Sequence, residues 1–107
     1  MNKIFIIGNL TQDPEMRMTQ NGKSVCTFSV AVNRRKHVDG QPDADFFRVI
    51  AWDQLGENCG KYLSKGKKVS VVGEISVHTY MKQGGDPGAS MEVNAKEVEF
   101  LSASENH

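Results

Sequence analysis

The sequence predicts an all-β fold with one short helix set after its third strand. Three observations carry this reading. Apolar and polar residues alternate from Ser24 to Asn33, from Asp45 to Trp52 and from Lys67 to Tyr80, the period of two that marks strands with one buried face. Helical spacing replaces alternation in one stretch only, Asp53 to Ser64. The chain has 107 residues, enough for one core and too few for two.

Each element has its own warrant. Lys3 to Thr11 reads as a strand in which Phe5 and Ile7 alternate with Ile4 and Ile6, all four apolar. A strand apolar on both faces needs cover on both, and a second copy of the chain is the simplest cover. Asp13-Pro14 breaks this strand and Asn21-Gly22 marks a turn. In Ser24 to Asn33, Cys26, Phe28, Val30 and Val32 form the core side. Residues 34–44 make a polar loop with a turn at Asp39-Gly40. Asp45 to Trp52 is the third strand. In the helix, Leu55, Cys59, Tyr62 and Leu63 fall on one side. Asp53 is its expected N-cap, and Lys65-Gly66 its expected glycine C-cap. Lys67 to Tyr80 places Val69, Val71, Gly73, Ile75 and Val77 on one face and Ser76, His78 and Tyr80 on the other. Gly73 suggests a bend or bulge. Gly84 to Gly88 is a hairpin tip. The last strand, Ser90 to Leu101, switches parity between Ala95 and Val98, which suggests a bulge near Lys96.

Five strands with a helix between strands 3 and 4 is the order of the OB-fold, a small Greek-key barrel. The expected domain covers residues 1–102, followed by a short polar C-terminal tail at 103–107.

Composition narrows the function. Hydrophobic residues make up 38% and charged residues 24%, a soluble globular balance. No apolar run approaches a membrane span, and the N-terminal apolar run is too short for a secretory signal, so the expected place is the cytoplasm and no membrane partner is expected. Formal net charge is zero, less basic than is usual for a nucleic-acid binder. The charges are nevertheless clustered. Arg34-Arg35-Lys36-His37 is one basic group, and Lys61, Lys65, Lys67 and Lys68 form another. Either could be a solvated face or an electrostatic footprint.

Catalytic patterns are missing. No motif brings Cys26 or Cys59 to His37, His78 or His107 as nucleophile and base. The histidines and cysteines lack metal-ligand spacing, so no metal or other cofactor is expected. Gly56 to Lys61 has the wrong spacing for a phosphate loop, with Tyr62 where Ser or Thr is required. The two cysteines read as buried, reduced thiols. The chain is therefore expected not to be an enzyme.

The stretch Asp45-Phe46-Phe47-Arg48-Val49-Ile50-Ala51-Trp52 points elsewhere. As a strand it puts Phe47, Val49 and Ala51 on a small apolar face and Phe46, Arg48, Ile50 and Trp52 on the other. Aromatic rings around a guanidinium suit an unpaired nucleic acid, whose bases stack while its phosphates meet the cation. The alternative is a strand buried on both sides, with Arg48 reaching to water. The octet alone does not choose between them.

Larger fragments resemble the bacterial single-stranded DNA-binding protein family of replication and repair. These are Met1-Asn2-Lys3, Ile7-Gly8-Asn9-Leu10-Thr11, Asp13-Pro14-Glu15, Phe28-Ser29-Val30-Ala31-Val32-Asn33, Phe46-Phe47-Arg48-Val49 with Trp52, Tyr62-Leu63-Ser64-Lys65-Gly66 and Val72-Gly73-Glu74-Ile75. Their order and spacing, from Met1 to about Leu101, are specific where each fragment alone is weak. The resemblance implies an OB-fold, a homotetramer, a location at the bacterial nucleoid and sequence-tolerant wrapping of single-stranded DNA. It places the stacking rings at Phe46, Trp52 and Tyr80. The nucleic-acid-binding set is then Lys3, Arg34, Arg35, Lys36, Phe46, Arg48, Trp52, His78 and Tyr80.

Three departures qualify the resemblance. Arg34-Arg35-Lys36 stand where the family often has another aromatic. Glu74, Ser76 and His78 replace a commonly basic stretch. The sequence given ends at Glu105-Asn106-His107 rather than in an acidic tip with terminal Pro-Phe, which leaves recruitment of replication and repair proteins open. Rival readings are a primosomal replication-restart OB-fold protein, a single-stranded RNA binder and a purely structural oligomerisation domain. Quenching of the single tryptophan by oligo-dT separates the last from the rest.

Overall fold

The computed structural model describes residues 1–102. The expected tail at 103–107 lies outside the described residues. Six strands and one helix follow in order: β1 Ile4–Leu10, β2 Glu15–Met18, β3 Ser24–Asn33, β4 Ala44–Trp52, α1 Asp53–Tyr62, β5 Lys68–Met81 and β6 Pro87–Phe100. The sheet order is β1-β5-β6-β4-β3-β2, and β1 also pairs with β3, which closes the barrel. All pairings are antiparallel except β4 with β6. This is the OB-fold barrel, with its helix between the third and fourth of the five long strands.

The expected count of five strands is corrected to six. β2 pairs residue for residue with β3, from Glu15↔Thr27 to Met18↔Ser24. All four of its residues are exposed, so no burial alternation announces it. Its backbone hydrogen bonds to β3 decide its form, and these are invisible in hydrophobic pattern.

The core lies where period-two alternation put it. Cys26, Phe28 and Val30 of β3, Val49 and Ala51 of β4, and Val69 and Val71 of β5 are buried together. Phe47 and Val32 pack against them half-buried. On β1 the inward residues Ile6 and Leu10 are buried, while Phe5 and Ile7 remain 63% and 45% exposed on the outside.

The bulges expected at Gly73 and near Lys96 are one feature. Val72 pairs with Glu97 and Gly73 with Ala95, so Lys96 is the extra residue on β6. Gly73 is buried there, and a Cβ on it would collide with the Asn94 carbonyl oxygen. The bend carries the far halves of β5 and β6 beyond the barrel as a long hairpin, on which Val77 is exposed.

The helix ends differ from expectation. The N-cap is Trp52, in extended conformation, and no side chain caps the helix. Asp53 is instead the first helical residue, with a left-handed φ of 56°. The strand must turn sharply into α1 at this point, and Asp tolerates that backbone better than most residues. The C-cap is Leu63, whose N–H donates to the Cys59 carbonyl at 3.0 Å. Gly66 lies beyond it, with φ 88°, in a turn closed by Lys67 N–H to the Ser64 carbonyl at 3.1 Å. Tyr62, expected on the packed side, is exposed and tilts against Phe100 with ring centroids 5.9 Å apart. Ten helical residues end at Tyr62, so Leu63 rather than the tyrosine turns into the core.

Candidate nucleic-acid interface

β4 is the spine of the candidate surface. Val49 and Ala51 point into the core and are fully buried, so Phe46, Arg48 and Trp52 must point outward. Phe46 is 60% exposed and Trp52 39%. Opposite them on β3 stand short side chains: Ala31 faces Phe46, Ser29 faces Arg48, Thr27 faces Ile50 and Val25 faces Trp52. Small neighbours leave the rings proud of the sheet. The reading of a strand buried on both sides is thereby excluded for this chain.

The other flank comes from β6 and β5. The parallel pairing sets Arg48 beside Glu92 and Ile50 beside Asn94. Glu92 pairs in turn with Ser76, Ser90 with His78 and Gly88 with Tyr80. Tyr80 is 49% exposed, and its ring lies across Gly88: a Cβ there would fall 2.7 Å from the ring atoms. Phe46, Ser90 and Met91 line one shallow cleft with Arg48, which ties the β4 ring to the β5–β6 hairpin. Phe46 and Tyr80 thus stand toward one end of the face and Trp52 at the other.

Between those ends sits a polar cluster. Glu92 is half-buried; its Oε1 lies 3.3 Å from His78 Nε2 and its Oε2 3.9 Å from Arg48 Nε. Ser76 Oγ approaches the same histidine nitrogen at 3.3 Å. With its proton on Nε2 the ring is a donor, and the two oxygens share that single N–H.

Trp52 has a cleft of its own, walled by Thr19, Asn21, Lys23 and Asp53. Trp52 stands at the strand-to-helix corner, immediately before the left-handed Asp53. Thr19, Asn21 and Lys23 were not among the expected site residues. Asn21-Gly22 was legible as a turn, but only the β2–β3 pairing brings that turn to Trp52.

The basic loop is less free than its sequence suggests. Arg34 donates from Nη2 and Nε to Asp45 Oδ1, at 2.7 and 3.2 Å, and from Nη1 to Gln41 Oε1 at 2.7 Å. The hydrogen bond to Asp45 also pushes the Arg34 pKa above its ordinary value. His37 lies 2.6 Å from Asp43 and 3.2 Å from Asp39. Arg35 and Lys36 carry no such partner among the described residues.

Lys3 falls apart from this group. Asn2 clamps β5 like a strand residue: its side-chain amide donates to the Ile75 carbonyl at 2.7 Å and accepts from Ile75 N–H at 2.9 Å. Lys3 therefore sits with Glu74, Lys96 and Glu97 around the bulge. From Glu74 to Tyr80 is about 20 Å along the strand.

Comparison with known proteins bears on this geometry. Residues 1–101 match the family described as the single-strand binding protein family. The chain belongs to the single-strand binding protein family. Among this family's curated members it is similar to Single-stranded DNA-binding protein 2 of Clostridium acetobutylicum, 41% identical over 102 residues, or 94% of this chain and 77% of the relative. Single-stranded DNA-binding protein 1 of the same organism is 39% identical over 103 residues, covering 94% of each chain. Single-stranded DNA-binding protein A of Bacillus subtilis is 38% identical over 102 residues, covering 94% of this chain and 59% of the relative. The family match thus spans every residue of the exposed face just described.

Proposed function

We propose that this chain binds single-stranded DNA with little sequence preference and shields it during replication, recombination and repair, without catalysis. The observation that carries the reading is the outer barrel face, on which Phe46, Trp52 and Tyr80 are exposed around Arg48. Bases stack on rings whatever their identity, since each presents a π-face. Arg35, Lys36 and Lys23 flank the face as phosphate contacts, with Arg34 as the strut that holds the loop. His78 lines the path between Phe46 and the centre, and Lys3 meets a strand that continues past the bulge.

The proposal includes self-assembly. Phe5 and Ile7 are exposed on β1, and among the described residues the Ile4–Gly8 stretch pairs only with β5. A second copy covers both the apolar face and the open edge. We place this assembly, as a tetramer, in the bacterial cytoplasm at the nucleoid; the relatives' names support the single-stranded DNA binding on which that placement rests.

Titration of Trp52 fluorescence with oligo-dT of graded length tests the binding. Strong quenching is expected, with log affinity falling on log salt by about 0.7 per phosphate neutralised. Trp52→Ala and Tyr80→Ala, the first followed by anisotropy of a labelled oligonucleotide, should each cost about 1–3 kcal/mol, the range general to base–aromatic stacking. Unchanged affinity in both folded variants would defeat the stacking platform.

A further inference from the structure

Glu92 is out of place on a surface that meets a polyanion. It stands on the middle strand of the outer face, between Arg48 of β4 and Ser76 of β5. A strand running from Trp52 to Phe46 and Tyr80 crosses it. Its side chain keeps 28% of its surface exposed. The 3.9 Å approach of Arg48 is longer than a hydrogen bond, and His78 engages only the other oxygen. Lone pairs of both oxygens thus remain open to a ligand.

A carboxylate here repels a phosphate. It only accepts hydrogen bonds, so it matches a base edge that donates. Cytosine offers its N4 amino group, the pairing that acidic side chains make with that base. Thymine offers one N3–H between two carbonyl oxygens, and those oxygens face the carboxylate unfavourably.

We propose that Glu92 reads base edges on the outer face and shifts binding toward cytosine and away from thymine, relative to what stacking alone would give. His78 steadies one carboxylate oxygen at 3.3 Å, and the Arg48 charge lies 3.9 Å from the other. The inference rests on the reading of this face as a single-strand binding surface.

The test compares oligo-dC and oligo-dT of equal length against the full chain and two variants at about pH 8, above the histidine range. Glu92→Gln removes the charge and adds a donor that suits thymine. Glu92→Asp keeps the charge and shortens the reach. Both variants should move the dT-to-dC affinity ratio toward dT by about fivefold or more, the equivalent of about 1 kcal/mol for one hydrogen bond. Glu92→Asp should do so with an unchanged salt slope. If Glu92→Gln tightens both homopolymers equally and Glu92→Asp changes neither, the residue acts by charge alone and the inference is overturned. If the wild-type chain binds neither homopolymer, the single-strand reading itself falls, and this inference with it.

Discussion

At the scale of single residues, position in a hydrogen-bond network separates cations that look alike in sequence. Arg34, Arg35 and Lys36 are consecutive, yet only Arg34 is held by Asp45 and Gln41. Arg35→Ala with Lys36→Ala should flatten the salt dependence of DNA binding by up to about 0.7 per cation removed. Arg34→Ala should leave that slope nearly unchanged and speed proteolytic nicking of the 34–44 loop. Equal slopes for the two variants would erase the distinction. The buried thiols give a second contrast. Burial, with Cys26 as a smaller contributor, pushes the Cys59 pKa up to about 12 from an ordinary 9.0. The unfolded thiol therefore loses its proton first as pH rises. Stability from this group is full below about pH 9 and falls as pH climbs toward about 12. Urea midpoints across that range should decline, less steeply in Cys59→Ala. Thiol reagents at neutral pH should label the native chain far more slowly than the unfolded one.

At the scale of elements, the bulge governs how the β5–β6 hairpin is aimed. Lys96 is the extra residue, and Gly73 lets the two strands approach where it sits. The outward file Ser76, His78 and Tyr80 lies just beyond it. Gly73→Ala forces a methyl against the Asn94 carbonyl and should destabilise the fold by about 1–3 kcal/mol, read by urea denaturation. Affinity for single strands should fall in the same variant, because the hairpin is re-aimed. A Gly73→Ala protein of wild-type stability and affinity would show that the strands yield there without cost.

At the scale of the whole molecule, one barrel leaves an apolar face and a strand edge unused. The inward side of β1 is satisfied by the core, whereas Phe5 and Ile7 are not covered by the described residues. Backbone groups of Ile4 to Gly8 on the side away from β5 have no strand partner among the described residues. The wild-type chain should scatter light as a symmetric oligomer, expected to be a tetramer. Ile7→Glu should shift it toward monomer while keeping the fold, since residue 7 is not part of the core. A wild-type chain that runs as a monomer at micromolar concentration would refute the assembly.

Period-two alternation was enough to assign β3, β4 and the barrel half of β5, with their core faces and the ring-bearing face of β4, because in a strand the side-chain direction follows from parity alone. β1, apolar on both faces, left its core face undecided. The parity switch around Lys96 even located the bulge. Other features are relations between residues far apart in the chain, and local pattern does not encode them. β2 has no buried residue to betray it, and its strand character comes from hydrogen bonds to β3. The cap at Trp52 replaced the expected Asp53 because the chain turns a corner there. Lys23 reaches Trp52 through the β2–β3 register, and Asp45 takes Arg34 across the mouth of a loop. Glu92 meets Arg48 only because β6 runs parallel beside β4, a neighbour relation that barrel closure creates between segments some forty residues apart. Sequence periodicity set which way each side chain points; tertiary pairing decided what it points at.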